Sequence, residues 1–302
     1  MKKEQMRSKK LMVSIMFFAI VAFAVSSCSK SDDPISSQNS QTASNESAQE
    51  SVTDELDDMA NAALNSIAAA GGRSETISDD RLSCDGTTIT PGANNTVNSG
   101  TVTITFGTNG CTDKKGNVRK GKITVSWSGG KWYAVGSQHT IALDGYTIND
   151  VSVTGNRTVA TTGFTYVSAT NFTLISTITA NHTITWADKT SATRTVSKTR
   201  TWIHSATDDT LTESNGPGSD VAATGTNRHA RAYTMTITSP LTYMASCIKT
   251  NKVFLPTSGT KVITDVASTK ALTVDFGTGT CDNTFTLTVD GHSKTIGAST
   301  GD

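Results

Sequence analysis

The alternation of apolar side chains with threonine and serine, sustained from Cys84 nearly to the C-terminus, constrains this 302-residue chain more than any other feature. Val102, Ile104 and Phe106 alternate with Thr103 and Thr105, and Ile123, Val125 and Trp127 alternate with Thr124 and Ser126. A period of two sends alternate side chains to opposite faces, as in a half-buried strand. Residues 151–162, 171–186, 190–204 and 231–238 are of the same kind, rich in Thr, Val, Ile and aromatics and separated by Gly, Asn and Asp. No second helical period appears in this part. The expected fold is therefore all-β over residues 80–302: an antiparallel meander sheet, or an open sandwich or half-barrel.

An internal repeat sharpens that expectation. Val102, Thr103, Ile104, Thr105, Phe106, Gly107, Thr108 and Cys111 match Leu272, Thr273, Val274, Asp275, Phe276, Gly277, Thr278 and Cys281 in unbroken register. Each copy reads as a strand, a glycine-bearing corner, a cysteine and a return strand, and each is preceded by another cysteine, Cys84 or Cys247. Four cysteines allow three pairings, and no C-x-x-C spacing points to zinc or redox chemistry. Pairing within each copy, Cys84 with Cys111 and Cys247 with Cys281, is the simplest choice. Loops of that length gain roughly 3 to 4 kcal/mol from a bridge on the chain-entropy model.

Ahead of the strands the period changes. Val52, Leu56, Met59, Ala63 and Ile67 recur at helical spacing, with Asp54, Glu55, Asp57 and Asp58 in the early turns, where the helix dipole favours negative charge. One short helix is expected over residues 51–72, ended by Gly71 and Gly72 and packed on the following domain. Residues 28–50 are mostly Ser, Gln, Asn, Asp and Glu, a composition expected to form a disordered tether.

Residues 1–27 have the make-up of a signal peptide: Lys2, Lys3, Arg7, Lys9 and Lys10, then an apolar run from Leu11 to Val25. That run of roughly 15 residues is shorter than the ~20 a bilayer span needs. Val25-Ser26-Ser27-Cys28 resembles the lipobox read by bacterial lipoprotein signal peptidase, which makes Cys28 the expected lipidation site and palmitate a typical acyl group. Ser29-Lys30-Ser31-Asp32-Asp33 resembles the lipoprotein export signal of Bacteroidota, implying an outer-membrane lipoprotein that faces the cell exterior. With 26 basic and 26 acidic residues the whole chain is neutral. Removal of residues 1–27 takes away five basic residues and Glu4, leaving 21 and 25 and a net charge of about −4. Such a balance speaks against nucleic acid as a partner.

Candidate chemistry is sparse. His139, His182, His204, His229 and His292 are scattered, and no pair has the i, i+4 spacing of a helical metal site, so no metal, cofactor or catalytic residue is expected. Gly297-Ala298-Ser299-Thr300-Gly301 matches G-x-S-x-G but has no room for the helix a nucleophile elbow needs. Asp208, Asp209, Glu213 and Asp220 read as a solvated loop, their spacing fitting no standard calcium loop. Asp209-Thr210-Leu211 resembles the short acceptor motif for O-glycosylation in Bacteroidota, which makes Thr210 the candidate acceptor. Trp132 and Tyr133 follow the Ser128-Gly129-Gly130-Lys131 turn and are the candidate ligand contacts, because rings near a hairpin tip can stack on sugar faces. Arg194, Lys198 and Arg200 share one face of their strand and are expected on a solvated face, meeting water, acidic glycans or facing carboxylates.

Asp275-Phe276-Gly277-Thr278-Gly279-Thr280-Cys281-Asp282-Asn283, Arg200-Thr201-Trp202-Ile203 and Gly225-Thr226-Asn227-Arg228 resemble phrases of a family of uncharacterised Bacteroidota cell-surface lipoproteins. The likeness covers most of the chain from Cys84 onward. It implies location and no catalytic residue. The expected function is a lipid-anchored, non-catalytic binding or scaffold protein. Its expected partners are the membrane and a glycan or another surface protein. The alternatives are a glycan-binding accessory protein of a polysaccharide uptake system and a secreted hydrolase.

Overall fold

The computed structural model describes residues 37–69, 79–114, 116–131, 133–251, 253 and 255–297. A single long helix, α1 (Ser37–Ala69), precedes a meander of strands. These are β1 (Thr88–Pro91), β2 (Ser99–Thr105), β3 (Cys111–Thr112), β4 (Val118–Ser128), β5 (Gln138–Ile148), β6 (Val151–Ser168), β7 (Asn171–Thr185) and β8 (Ser191–His204). Then follow β9 (Thr210–Asn215), β10 (Ala223–Thr226), β11 (Ala232–Met244), β12 (Ser258–Asp265), β13 (Ala271–Thr278), β14 (Thr284–Val289) and β15 (His292–Gly297). All pairings are antiparallel and belong to one 15-stranded sheet, open at β1 and β15. β9 and β10 share the place between β8 and β11, each pairing with both neighbours over part of their length. The all-β meander is thus as expected.

Local chemistry explains the turns and bends. Asn149 and Asp150 close the β5–β6 hairpin, and Asp290 and Gly291 close β14–β15, with left-handed backbone at all four positions; asparagine, aspartate and glycine tolerate that region best. Facing irregularities between Lys120 and Lys122 and between Ala142 and Thr147 bend β4 and β5 together. Gly121 is required there, because a Cβ on it would lie 2.2 Å from the Gly145 carbonyl oxygen.

The helix is longer than its apolar period indicated. It begins at Ser37, so residues 37–50, expected to be tether, are helical; residues 28–36 and 70–72 lie outside the described residues. No Gly or Pro interrupts the chain between Pro34 and Gly71, and a 33-residue helix is about 50 Å long. Its early part lacks an apolar stripe, so hydrophobic periodicity could not reveal it. Buried cations on the sheet stabilise it instead.

One face of the sheet is covered by α1, and two separate apolar clusters form beneath it. Leu56, Met59, Ala60 and Ala63 pack on Val102, Ile104, Phe106, Ile123, Val125, Ile141, Tyr146 and Val153 from β2 to β6. Ala43 joins the other cluster, built by Met235, Leu241, Ile263, Val274, Phe276, Phe285 and Leu287 from β11 to β14. The two repeat copies therefore supply equivalent residues to opposite wings of the sheet: Val102, Ile104 and Phe106 to one, Leu272, Val274 and Phe276 to the other. Each wing carries its own bridge, Cys84–Cys111 and Cys247–Cys281, with Cα–Cα distances of 5.5 and 5.2 Å. Both pairings are those expected from the repeat.

Candidate functional site

The strand carrying Arg194, Lys198 and Arg200 faces α1, not solvent. The alternation that placed these three on one face of β8 is correct; the face is the interior one. Arg194 and Lys198 are buried and Arg200 is half-buried. Arg157 from β6 and Lys261 from β12 join them, and five carboxylates answer: Glu46, Glu50, Asp54 and Asp57 from α1, and Glu213 from β9. The acidic residues recur every three or four positions, which aligns them on one side of the helix.

The contacts interlock. Arg157 Nε donates to Asp57 Oδ1 at 2.6 Å and its Nη2 to Asp54 Oδ1 at 2.9 Å. Arg200 donates to Asp57 Oδ2 at 2.8 Å and through Nε and Nη2 to Glu213 Oε1 at 2.9 and 2.7 Å. Lys198 joins Glu50 to Glu213, the latter at 2.8 Å. Lys261 Nζ donates to Glu46 at 2.6 Å and Glu50 at 2.8 Å. Glu46 Oε1 lies 2.6 Å from Arg194 Nη2, an ion-pair contact without hydrogen-bond alignment. Glu50 is the hub, within ion-pair distance of Arg194, Lys198 and Lys261. A satellite group places fully buried Arg119 between Asp113 and Glu55.

Mutual compensation keeps these groups charged. Burial disfavours the Glu50 carboxylate, yet Lys198, Lys261 and Arg194 outweigh it and hold the group well below the usual carboxylate range. Burial likewise opposes ionisation of Asp57 and Glu213, but Arg157 and Arg200 lower the first to about 2, and Lys198 and Arg200 lower the second to about 2. Asp54 moves the other way, raised by burial and by Glu213. Glu50, Asp54 and Glu213 bring carboxylate oxygens within 4.8 Å of one another, the one such metal-like grouping among the described residues. Lys198 and Arg200 already bridge these carboxylates, so the positive charge a metal would bring is present as side chains.

The same interior face changes character toward the β6–β7 hairpin tip. Phe164 and Tyr166 on β6, Phe172 on β7, and Trp202 and His204 on β8 form a row of rings that Tyr133 extends from the β4–β5 loop. Centroids are 5.4 Å apart for Tyr133–Phe164, 5.9 Å for Phe164–Phe172, 5.2 Å for Phe172–Trp202 and 4.8 Å for Phe172–His204. Tyr166 remains 63% exposed and the others are half-buried. Tyr133 was a candidate contact and belongs to this row, with the Lys131 ammonium 5.8 Å from its ring centre. Tyr133 lies in the loop between β4 and β5. Trp132 lies outside the described residues.

The remaining candidates separate. Asp209 Oδ1 accepts from His204 Nδ1 at 2.6 Å, while Asp208 accepts from the backbone and hydroxyl of Ser246. Glu213, expected in a solvated loop, is in β9 and buried, whereas Asp208, Asp209 and Asp220 lie in the loops on either side of that strand. Thr210 begins β9 and is half-buried. His182 is 1% exposed on the interior face of β7, opposite Gly155, and neither ring nitrogen has a partner among the described residues. Burial, then Arg157 and Arg194, lower its pKa to about 4. Cys28 and residues 298–302, which include the G-x-S-x-G serine, lie outside the described residues. An open cleft of about 400 Å³ beside Cys84 is lined by Ser83, Asp85, Gly110 and Thr112 and contains no histidine.

No helix among the described residues is long and apolar enough to cross a membrane. Comparison with protein-family models, with curated proteins and with solved structures finds no match to this chain.

Proposed function

We propose that the protein is a lipid-anchored lipoprotein of the outer cell surface that binds its target without transforming it, using the aromatic end of the sheet as the binding surface. The observation that carries this reading is the row of six rings, continuous across three adjacent strands and one loop, with Tyr166 largely open to solvent. Large amphipathic rings at a surface supply contact area with little loss of conformational freedom. The ion-locked helix and the two bridges support the role of a rigid platform for that row. The lipobox-like segment ending in Cys28 and the likeness to Bacteroidota surface lipoproteins support the location.

Two measurements test the reading. Radiolabelled palmitate is expected to enter the wild-type protein and not Cys28→Ala; equal labelling of both removes the anchor from the account. Wild type and Tyr166→Ser are then applied to an array of neutral and acidic polysaccharides and to phospholipid vesicles. Retention by at least one probe, weakened in the variant, is expected, and no retention by any probe rejects the binding surface.

A second reading, a hydrolase, is favoured by the His204–Asp209 pair, in which a carboxylate orients an imidazole for proton transfer. Hydrolysis of a glycan or ester substrate that His204→Ala abolishes would establish it.

A further inference from the structure

The aromatic end exposes large apolar side chains on both faces, on the exterior one among threonines, and that distinguishes it from a groove built for one ligand. Alternation along β7 and β8 sends Phe172, Trp202 and His204 to the interior face and Ile175 and Ile203 to the exterior face. Ile175 is 36% and Ile203 38% exposed, and Val167 at the hairpin tip is 67% exposed. Val135, also mostly exposed, is held beside the hairpin by the Gly136 amide, which donates to the Thr161 carbonyl. Of seven large hydrophobic residues exposed among the described residues, five (Val135, Tyr166, Val167, Ile175 and Ile203) belong to this one end. That concentration exceeds the scattered apolar exposure ordinary on soluble proteins.

Charge is missing from the same segment. Between Arg157 and Asp188 the sequence contains no Asp, Glu, Lys or Arg, and its single histidine, His182, is buried. The tip, Ser168-Ala169-Thr170-Asn171, is small and uncharged. Ladder bonds pair β6 with β7 as far as Ser168 and Asn171, and β8 covers the other side of β7 up to Phe172. The backbone of β7 is thereby paired on both sides, while β6 beyond Thr161 is laddered on its β7 side alone among the described residues, an arrangement suited to the hydrated interfacial layer and not to the hydrocarbon core.

We infer that the β6–β7 hairpin tip, flanked by the β4–β5 loop and the end of β8, docks into the interfacial layer of an uncharged lipid surface. Counting back from the tip, Val167 comes first, then Tyr166, Phe172 and His204 at one level, then Ile203, Trp202 and Ile175, so rings and branched apolar side chains share the shallow depth at which Tyr and Trp belong. A sugar chain needs a polar rim on one face and has no use for exterior Ile175 and Ile203. An anionic surface would call for a cluster of Lys or Arg, and the hairpin has none. The inference rests on the aromatic end being the binding surface and names what it binds. With an acyl chain at Cys28, it would be the second of the two membrane contacts that stable anchoring requires.

An environment-sensitive fluorophore placed through Ala169→Cys in the full chain reads the contact directly, with a second label through His292→Cys on the exposed edge strand as reference. Phosphatidylcholine vesicles should raise and blue-shift emission at position 169 and leave 292 unchanged, equally in low and high salt. Replacing Tyr166 and Val167 together by Ser should raise the lipid concentration needed by at least about tenfold, from the apolar area removed. Far-ultraviolet circular dichroism of that variant should match wild type. A label at 169 that stays in water with every vesicle overturns the inference. If polysaccharide is then retained by wild type and lost in Tyr166→Ser, the binding surface stands with a different ligand; if nothing is retained, both fall. A shift seen only with anionic vesicles and removed by salt also overturns it.

Discussion

Two stretches of one sheet face, a few residues apart on the same strands, solve opposite problems. Along β8, Arg194, Lys198 and Arg200 are sealed under α1 and matched by carboxylates; two and four residues later Trp202 and His204 stand at a partly open aromatic rim. Under the helix, each of these three cations has a carboxylate within ion-pair distance. At the rim the contacts are among rings that tolerate tilt, with interplanar angles from 30° to 89°. A charged interface of this kind specifies how α1 sits, because sliding the helix by a turn would leave buried charges unmatched. A ring surface specifies little and leaves contact area available. On the proposed reading, one region holds the fold and the other meets a partner.

The sharpest way to break that contrast is to remove the hub. Glu50→Gln leaves three buried cations short of a partner and should cost about 3–5 kcal/mol of stability in urea unfolding. A loss below about 1 kcal/mol would show that the ion layer is solvated and not a lock.

Acid should act in two stages. His182 has its pKa lowered to about 4, so the unfolded chain binds its proton first. Its contribution is present above the unfolded value near 6.5 and is lost as pH falls toward 4, on the order of 3 kcal/mol. Asp57 and Glu213, lowered to about 2, contribute above the unfolded carboxylate range and lose that contribution as pH falls from about 4 to 2. Asp54, whose pKa is raised, acts above the unfolded carboxylate value: it adds stability as pH falls toward about 4 and so offsets the end of the first stage. Unfolding free energies measured from pH 7 to 3 should therefore drop first between 6.5 and 4, and His182→Met should remove the larger part of that drop, the rest belonging to His139, whose pKa burial also lowers. An unchanged profile in the variant would reassign the drop elsewhere.

A smaller effect is expected when Glu50 and Lys198 are replaced together by Gln and Met. Removing both signs should restore stability to within about 1–2 kcal/mol of wild type, since buried pairs replaced as pairs are often near neutral. A double variant as unstable as Glu50→Gln would mean that Lys198 adds nothing through Glu50. The smallest change is Tyr166→Ser, expected within about 0.5 kcal/mol because an exposed side chain has little to lose on substitution. A larger loss would mark the rim as core and not as surface.

Much of the fold was legible because it is written in short-range pattern. Alternating apolar and threonine residues identified the strands, glycine and asparagine the turns, and the repeat around Cys111 and Cys281 gave both bridges. The charged interface was half legible. Arg194, Lys198 and Arg200 were visible as one face of a strand, and Glu46, Glu50, Asp54 and Asp57 carry helical spacing in acidic residues, a signal that a search for apolar periodicity passes over. What no local pattern carries is that the two faces meet, across separations such as the 148 residues between Glu50 and Lys198. Read apart, each looks like a surface exposed to water.

The aromatic end shows the same division. Tyr133 stands out in the sequence beside a glycine turn, whereas Phe164, Tyr166, Phe172, Trp202 and His204 share no local pattern that marks them as one group, being spread over 41 positions of three strands. The sequence by itself determined the strands and their turns and favoured one of three cysteine pairings, which the structure shows. Only the tertiary structure decided which polar face is interior, that α1 reaches back to Ser37, and that scattered rings form one row. The physical reason is that propensity and periodicity act over a few residues, while charge compensation and ring contact act through space between strands paired far apart in the chain.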